Sequence, residues 1–207
     1  MNGIGGATGR GSGKAWGMKR EMRRKAIHVA TILVAIVVWA LPRPQALALL
    51  AAGAAAALGV EWLRFHNRWA RYHFLRHTRT MLRRHERRRL AGATYMAVAY
   101  LVAAALFPRP VAVAAILYNG LGYAAAALVG RRWGRHRTAW GKSWEGFAAA
   151  LTVNLGVGLV VPGIPAVAAV LGAGAAAAFE FLPLRIDDNL RITIAGGAAL
   201  WLAVALW

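Results

Sequence analysis

All the carboxylates of the chain reside in seven residues: Glu21, Glu61, Glu86, Glu145, Glu180, Asp187 and Asp188. Four of them fall in two short stretches of the C-terminal half. One is Trp140-Gly141-Lys142-Ser143-Trp144-Glu145-Gly146; the other runs from Glu180 to Asp187-Asp188-Asn189. Lysine or arginine stands close to each. Hard oxygen donors beside cations suit Mg²⁺ bridged to phosphates, with lysine and arginine neutralising the phosphate charge. Gly141-Lys142-Ser143 has the ending of a soluble phosphate-binding loop, but such a loop needs a glycine five residues earlier. His136 occupies that position, so this is not a Walker motif. Asp187-Asp188-Asn189 precedes an apolar run and also reads as a helix N-terminal cap. Spacing alone leaves capping and ligation both open.

The elements that must position these groups are apolar. Of 207 residues, 59% are hydrophobic, and the mean hydropathy is +0.46. The apolar residues cluster in seven segments, approximately 26–41, 45–63, 91–107, 110–129, 147–162, 164–182 and 190–207. Blocks of this length match a bilayer crossing. Their continuous apolar character, without alternation, predicts helices rather than a barrel. The expectation is an all-α, polytopic membrane bundle of about seven transmembrane helices. Pro42-Arg43-Pro44, Pro108-Arg109-Pro110 and Pro162-Gly163-Ile164-Pro165 predict tight hairpins between three pairs of helices.

Charge placement orients that bundle. The formal net charge is +19, and every lysine and arginine except Arg43 and Arg109 falls before the first span or in the alternate, longer connections. By the positive-inside rule the N-terminus and those connections are cytoplasmic, in what is expected to be a bacterial cytoplasmic membrane. Residues 1–20 read as a flexible basic tail or a vector-derived remnant, and 21–207 as one transmembrane domain. Within it, 64–90 interleaves aromatic residues with ten arginines, as an interfacial amphipathic helix facing anionic headgroups would. Tethering at both ends argues against nucleic acid as the partner. The absence of cysteine excludes disulfide and thiolate chemistry. Self-association as a homo-oligomer is compatible with such a chain.

Five pieces, in order, resemble the dolichol kinase and phytol kinase family, within the wider phosphatidate cytidylyltransferase-like group. They are Arg24-Lys25-Ala26-Ile27-His28, Gly92-Ala93-Thr94, the stretch from Gly122 to Gly134, Gly141-Lys142-Ser143-Trp144-Glu145-Gly146, and Glu180 with Asp187-Asp188-Asn189-Leu190. The likeness spans roughly residues 20–200. It implies a CTP-dependent kinase acting on a membrane lipid alcohol such as a polyprenol, phytol, geranylgeraniol or diacylglycerol, with CTP and Mg²⁺ at the cytoplasmic face. It further implies phosphate contacts from Lys142, Ser143, Arg131 and Arg132, with Asn189 and His28 beside the nucleotide. Catalytic roles would fall to Lys142, Glu145, Asp187 and Asp188, and metal ligation to Glu145, Glu180, Asp187 and Asp188.

The sequence departs from the family pattern at one place. Tyr123 follows Gly122 where the family carries an aspartate, and a neutral phenol is a poor metal ligand. Asn119, one helical turn earlier, is a possible oxygen donor on the same face. The departure keeps two alternatives beside the kinase: cytidylyl transfer to a lipid phosphate, and a non-catalytic member that binds lipid or nucleotide. A transporter fits less well, since its spans usually carry polar or broken segments near mid-membrane and here Asn119 and Asn154 are the main such residues.

Overall fold

The computed structural model describes His28, residues 30–78, Met81, Leu82 and residues 85–207. The basic tail at 1–20, together with Arg24 and Lys25, lies outside the described residues. The architecture is all-helical: α1 (Ile32–Ala40), α2 (Arg43–His66), α3 (Arg68–Thr78), α4 (Gly92–Leu106), α5 (Arg109–Leu117), α6 (Tyr123–Arg132), α7 (Trp144–Val160), α8 (Ala166–Phe181) and α9 (Asp188–Ala205). A π turn, Tyr118–Gly122, joins α5 to α6 without breaking the rod. Arg43–His66 and Arg109–Arg132 are long and apolar enough to cross a membrane, while Gly92–Leu106, Trp144–Val160 and Ala166–Phe181 are apolar and shorter.

The helix boundaries follow from local chemistry. Pro44 and Pro110 sit in the first turns of α2 and α5, where a missing N–H removes no helical bond. Arg43 and Arg109 then reach across the same end of the bundle. Arg43 donates to the Ala105 carbonyl (2.6 Å), and Arg109 donates to those of Leu41 (3.0 Å) and Trp39 (3.3 Å). These are last-turn carbonyls of α1 and α4, which otherwise lack partners. The third proline turn joins them there, since Gly163 packs against Pro110. All three predicted hairpins therefore meet at one end.

Small residues set the packing. A Cβ on Gly196 would lie 2.9 Å from the Ala176 Cβ, and one on Gly172 would lie 2.8 Å from Leu200, so α8 and α9 touch through their backbones. The rod from α5 to α6 runs through the centre, with Tyr118 and Asn119 fully buried in its π turn. The Asn119 amide donates to the Asn189 carbonyl (3.3 Å), linking that turn to the start of α9. By contrast α2 stands at the edge, with Ala46, Ala54, Glu61 and Arg64 as its buried residues.

At the other end, α2 holds the connection to α4. Arg64 pairs with Glu61, and both side chains are buried. Arg64 also donates to the carbonyls of Glu86 (3.0 Å) and Arg89 (2.5 Å), while Glu61 accepts from the Ala91 N–H (2.9 Å) and the Thr94 hydroxyl (3.1 Å). Removing the cation alone leaves a buried carboxylate uncompensated. Arg64→Met is therefore expected to destabilise the folded protein by about 3–5 kcal/mol. The double variant Glu61→Leu/Arg64→Met should recover part of that loss, read as unfolding transitions in detergent; equal transitions for all three proteins would refute the pairing.

Candidate functional site: a basic cavity at the charged end

The connection between α6 and α7 is built to deliver one lysine inward. Thr138 N–H donates to the Lys142 carbonyl (2.8 Å), and Gly141 N–H to that of Thr138 (3.0 Å). Gly141 takes φ +86°, which the tight reversal demands and a side chain would resist. Arg137 braces the turn through the carbonyls of Gly130 (2.8 Å) and Gly141 (3.3 Å). Trp140 anchors it to α8, its indole N–H donating to the Phe181 carbonyl (2.9 Å). Ser143 then caps α7, its hydroxyl accepting from the Gly146 N–H (3.1 Å).

Held this way, Lys142 forms an ion pair with Glu180, which is buried in the last turn of α8. A second pair lies alongside: Asp188 with Arg191, one turn apart on α9. Arg191 is itself buried and donates to the Leu182 carbonyl (2.6 Å). Tyr123 stands between the two pairs. Its hydroxyl donates to Asp188 Oδ2 (3.3 Å), its ring centre is 5.8 Å from Lys142 Nζ, and the His28 ring packs on it at 4.9 Å. Around these groups is a cavity of about 230 Å³, with Arg131, Arg137 and Lys142 as cations and Glu180 and Asp188 as carboxylates. Gly130 and Gly146 allow its wall to close on Ser143: a Cβ on Gly130 would lie 2.8 Å from the serine hydroxyl.

The structure thus brings Arg131, Lys142, Ser143, Glu180 and Asp188 together, with Tyr123 among them. Other expected site residues go elsewhere. Arg132 lies over the Trp133 ring at 5.2 Å. Asp187 caps α9, its carboxylate accepting from both the Asn189 N–H and the Asn189 side-chain amide (2.9 Å each). Asn119 turns to the Asn189 carbonyl, away from the cavity. Asn189 and His28 line a neighbouring cavity. Two contributors, Arg137 and Arg191, were missed by sequence reasoning. The three-residue spacing of Arg191 from Asp188 on a helix is a usable signal; for Arg137 the only signal is its place among other loop arginines.

Glu145 also faces away from the cavity. One carboxylate oxygen accepts from the N–H groups of Arg135 and His136 (3.1 Å each) and contacts His136 Nδ1 (2.7 Å). It lies before the apolar part of α7, outside the spanning segment proposed below. Its own backbone N–H and that of His136 hold the carboxyl well below its ordinary 4.5, at about 2. No family model, curated protein or solved structure matches the chain.

A carboxyl whose folded pKa is depressed lends stability above its unfolded value and loses it as pH falls through the folded one. The anchoring of 135–136 by Glu145 should therefore be complete above about pH 4.5 and fade toward pH 2. The amide resonances of Arg135 and His136 should titrate with a midpoint near 2, and Glu145→Gln should abolish that inflection; a midpoint near 4.5 would contradict the geometry.

Proposed function

We propose that the protein is an integral membrane kinase that moves the γ-phosphoryl group of CTP to the hydroxyl of a membrane lipid alcohol at the cytoplasmic face. The observation that carries this reading is the basic cavity, which gathers Tyr123, Arg131, Lys142, Glu180 and Asp188 from separate helices and their connections. To Arg131, Lys142, Glu180 and Asp188 the family resemblance assigns phosphate or metal contacts, while Tyr123 is the departure from it. The cavity also abuts apolar helices, where a lipid hydroxyl can arrive without leaving the membrane.

In this reading the acceptor oxygen attacks the γ-phosphorus, the bond to the β-phosphate oxygen breaks, and CDP leaves. The hydroxyl proton passes to a cavity carboxylate. Lys142, Arg131 and Arg137 stabilise charge on the phosphates, which is the main work a protein does in such a transfer. Mg²⁺, when bound, would neutralise charge on the phosphates. Among the described residues no three histidine or acidic side chains cluster as a ready-made metal cage. Glu180 and Asp188 are hard oxygen donors facing one cavity, each already paired with a cation. That donor set fits a metal that arrives with nucleotide phosphates, the usual situation for Mg²⁺, with those two residues as its protein ligands.

The proposed topology is seven crossings with the N-terminus and the basic cavity in the cytoplasm. Charge asymmetry supports it, as does the meeting of all three proline turns at the end opposite the cavity. The 15 residues of α4 make about 22 Å of helix. Local bilayer thinning and flanking residues accommodate such short spans. Tyr123 favours a second reading, a non-catalytic member that binds the same ligands.

Purified protein in detergent with γ-labelled CTP, Mg²⁺ and long-chain alcohols is expected to yield labelled lipid phosphate, and Lys142→Ala to lower the rate by about 100-fold or more. Transfer of label from α-labelled CTP to a lipid phosphate, with pyrophosphate released, would instead make the protein a cytidylyltransferase. No product, with product appearing in Tyr123→Asp, would establish the non-catalytic reading. The topology has its own check. The chain has no cysteine, so Ala166→Cys gives a unique thiol at the exposed start of α8. It should react with an impermeant reagent on intact cells; reaction only after lysis would invert the orientation.

A further inference from the structure

A second cavity, of about 370 Å³, lies next to the basic one. Its walls are mostly apolar, with Ala56, Ala57 and Val60 of α2, Met96 of α4, and Phe74 and Leu82 of the segment between them; Glu61, Thr78, Glu86 and Thr94 also line it. Val60 is 46% exposed, so the α2 wall also forms the outer surface of the bundle. The Glu61 and Arg64 pair holds the 86–91 backbone over this space. Two residues join it to the basic cavity. The His28 ring belongs to the apolar side and packs on Tyr123 of the basic side, while Asn189 lines the apolar side directly after Asp188 of the basic one.

Asn189 is the informative residue. It is 4% exposed, and its amide nitrogen donates to the Gly92 carbonyl (3.2 Å) and the Asp187 carboxylate (2.9 Å). Both partners are acceptors, so the orientation of the amide is fixed by them. Its oxygen is left buried with no hydrogen-bond partner. Buried acceptors are ordinarily satisfied, and one that is not calls for a donor from outside the chain. A mostly apolar chamber that carries the unpartnered Asn189 acceptor where it adjoins the basic cavity, with Glu61 and Glu86 also on its lining, suits an amphiphile whose polar head is an O–H donor. The volume is at the small end of the roughly 300–1,000 Å³ seen for ligand sites, which favours one aliphatic chain over two.

We propose that this cavity binds a single-chain lipid alcohol, its chain between α2 and α4 and its hydroxyl donating to Asn189 Oδ1. The hydroxyl is thereby held at the partition formed by Tyr123 and His28, beside the basic cavity. The assignment of this ligand as phosphoryl acceptor rests on the kinase reading; the binding itself does not. Diacylglycerol, with two chains and a bulkier head, fits this volume less well.

The test is photolabelling in phosphatidylcholine proteoliposomes, without nucleotide, using a hexadecanol that carries a diazirine on its chain. Label is expected within residues 56–60 and 91–96, and unlabelled hexadecanol should compete about tenfold better than its methyl ether, which lacks the donor. Asn189→Ala should erase that difference. Ala57→Trp and, independently, Met96→Trp should lower labelling about tenfold by filling the chamber, with unchanged elution profiles certifying the fold of whichever is compared. Lys142→Ala should label like the parent protein. Label spread over outward residues such as Leu33 and Leu49, equal competition by the ether, or equal competition by diacylglycerol would overturn the proposal. Specific labelling without phosphoryl transfer would remove the kinase reading and leave the lipid site standing. Transfer at the parental rate by a filled-chamber variant would do the reverse.

Discussion

A charge inside an apolar helical bundle must have a partner, because water is absent and an unpaired ion there is severely destabilising. The charged end of this molecule is organised around that constraint. Glu61 pairs with Arg64, Glu180 with Lys142, and Asp188 with Arg191. In each pair at least one side chain is nearly inaccessible, and the arginines also bind carbonyls of their surroundings. The pairs therefore act as ties: one holds the 86–91 backbone to α2, another brings the α6–α7 connection onto α8, and the third joins the start of α9 to the end of α8. The opposite end needs no such ties. Proline turns and two arginines on helix-terminal carbonyls suffice there.

These ties also divide the interior. Alanine-rich helices pack closely and offer no chemical distinction between one stretch and the next, so any selectivity must come from the few polar groups. Those groups form a partition of Tyr123, His28, Asp188 and Asn189, with a basic cavity on one side and an apolar chamber on the other. Phosphate chemistry needs water-tolerant cations and lipid chains need their absence. Under the proposed function, this partition would satisfy both requirements within one small bundle.

Much of this was legible in the sequence, and what was not has physical causes. The apolar runs and proline connections placed the helices well, because composition and broken N–H donors act locally. Ser143 and Asp187 cap as their residue types dictate. Arg131, Lys142, Glu180 and Asp188 line one cavity, whereas Glu145 does not join them. Its position in the first turn of α7 puts its carboxylate beside free backbone N–H groups of 135 and 136, which compete successfully with any ligand role. The π turn at Tyr118–Gly122 gave no sequence signal either, since it depends on packing against α9. The tie between Glu61 and the Ala91 N–H crosses 30 residues, which no local pattern reveals.

Tyr123 sets the charge balance of the cavity. With a phenol there, three cations face two carboxylates, and both carboxylates are already paired. The balance favours an anionic ligand. An aspartate at the same position would add a third carboxylate, one without an ion-pair partner in this arrangement, and tilt the balance toward a divalent cation. Under the proposed function the phenol therefore changes the order of assembly: the nucleotide must displace Glu180 from Lys142 before that carboxylate can turn to a metal. Glu180 and Asp188 would then hold a metal only beside bound phosphate, where it would neutralise phosphate charge.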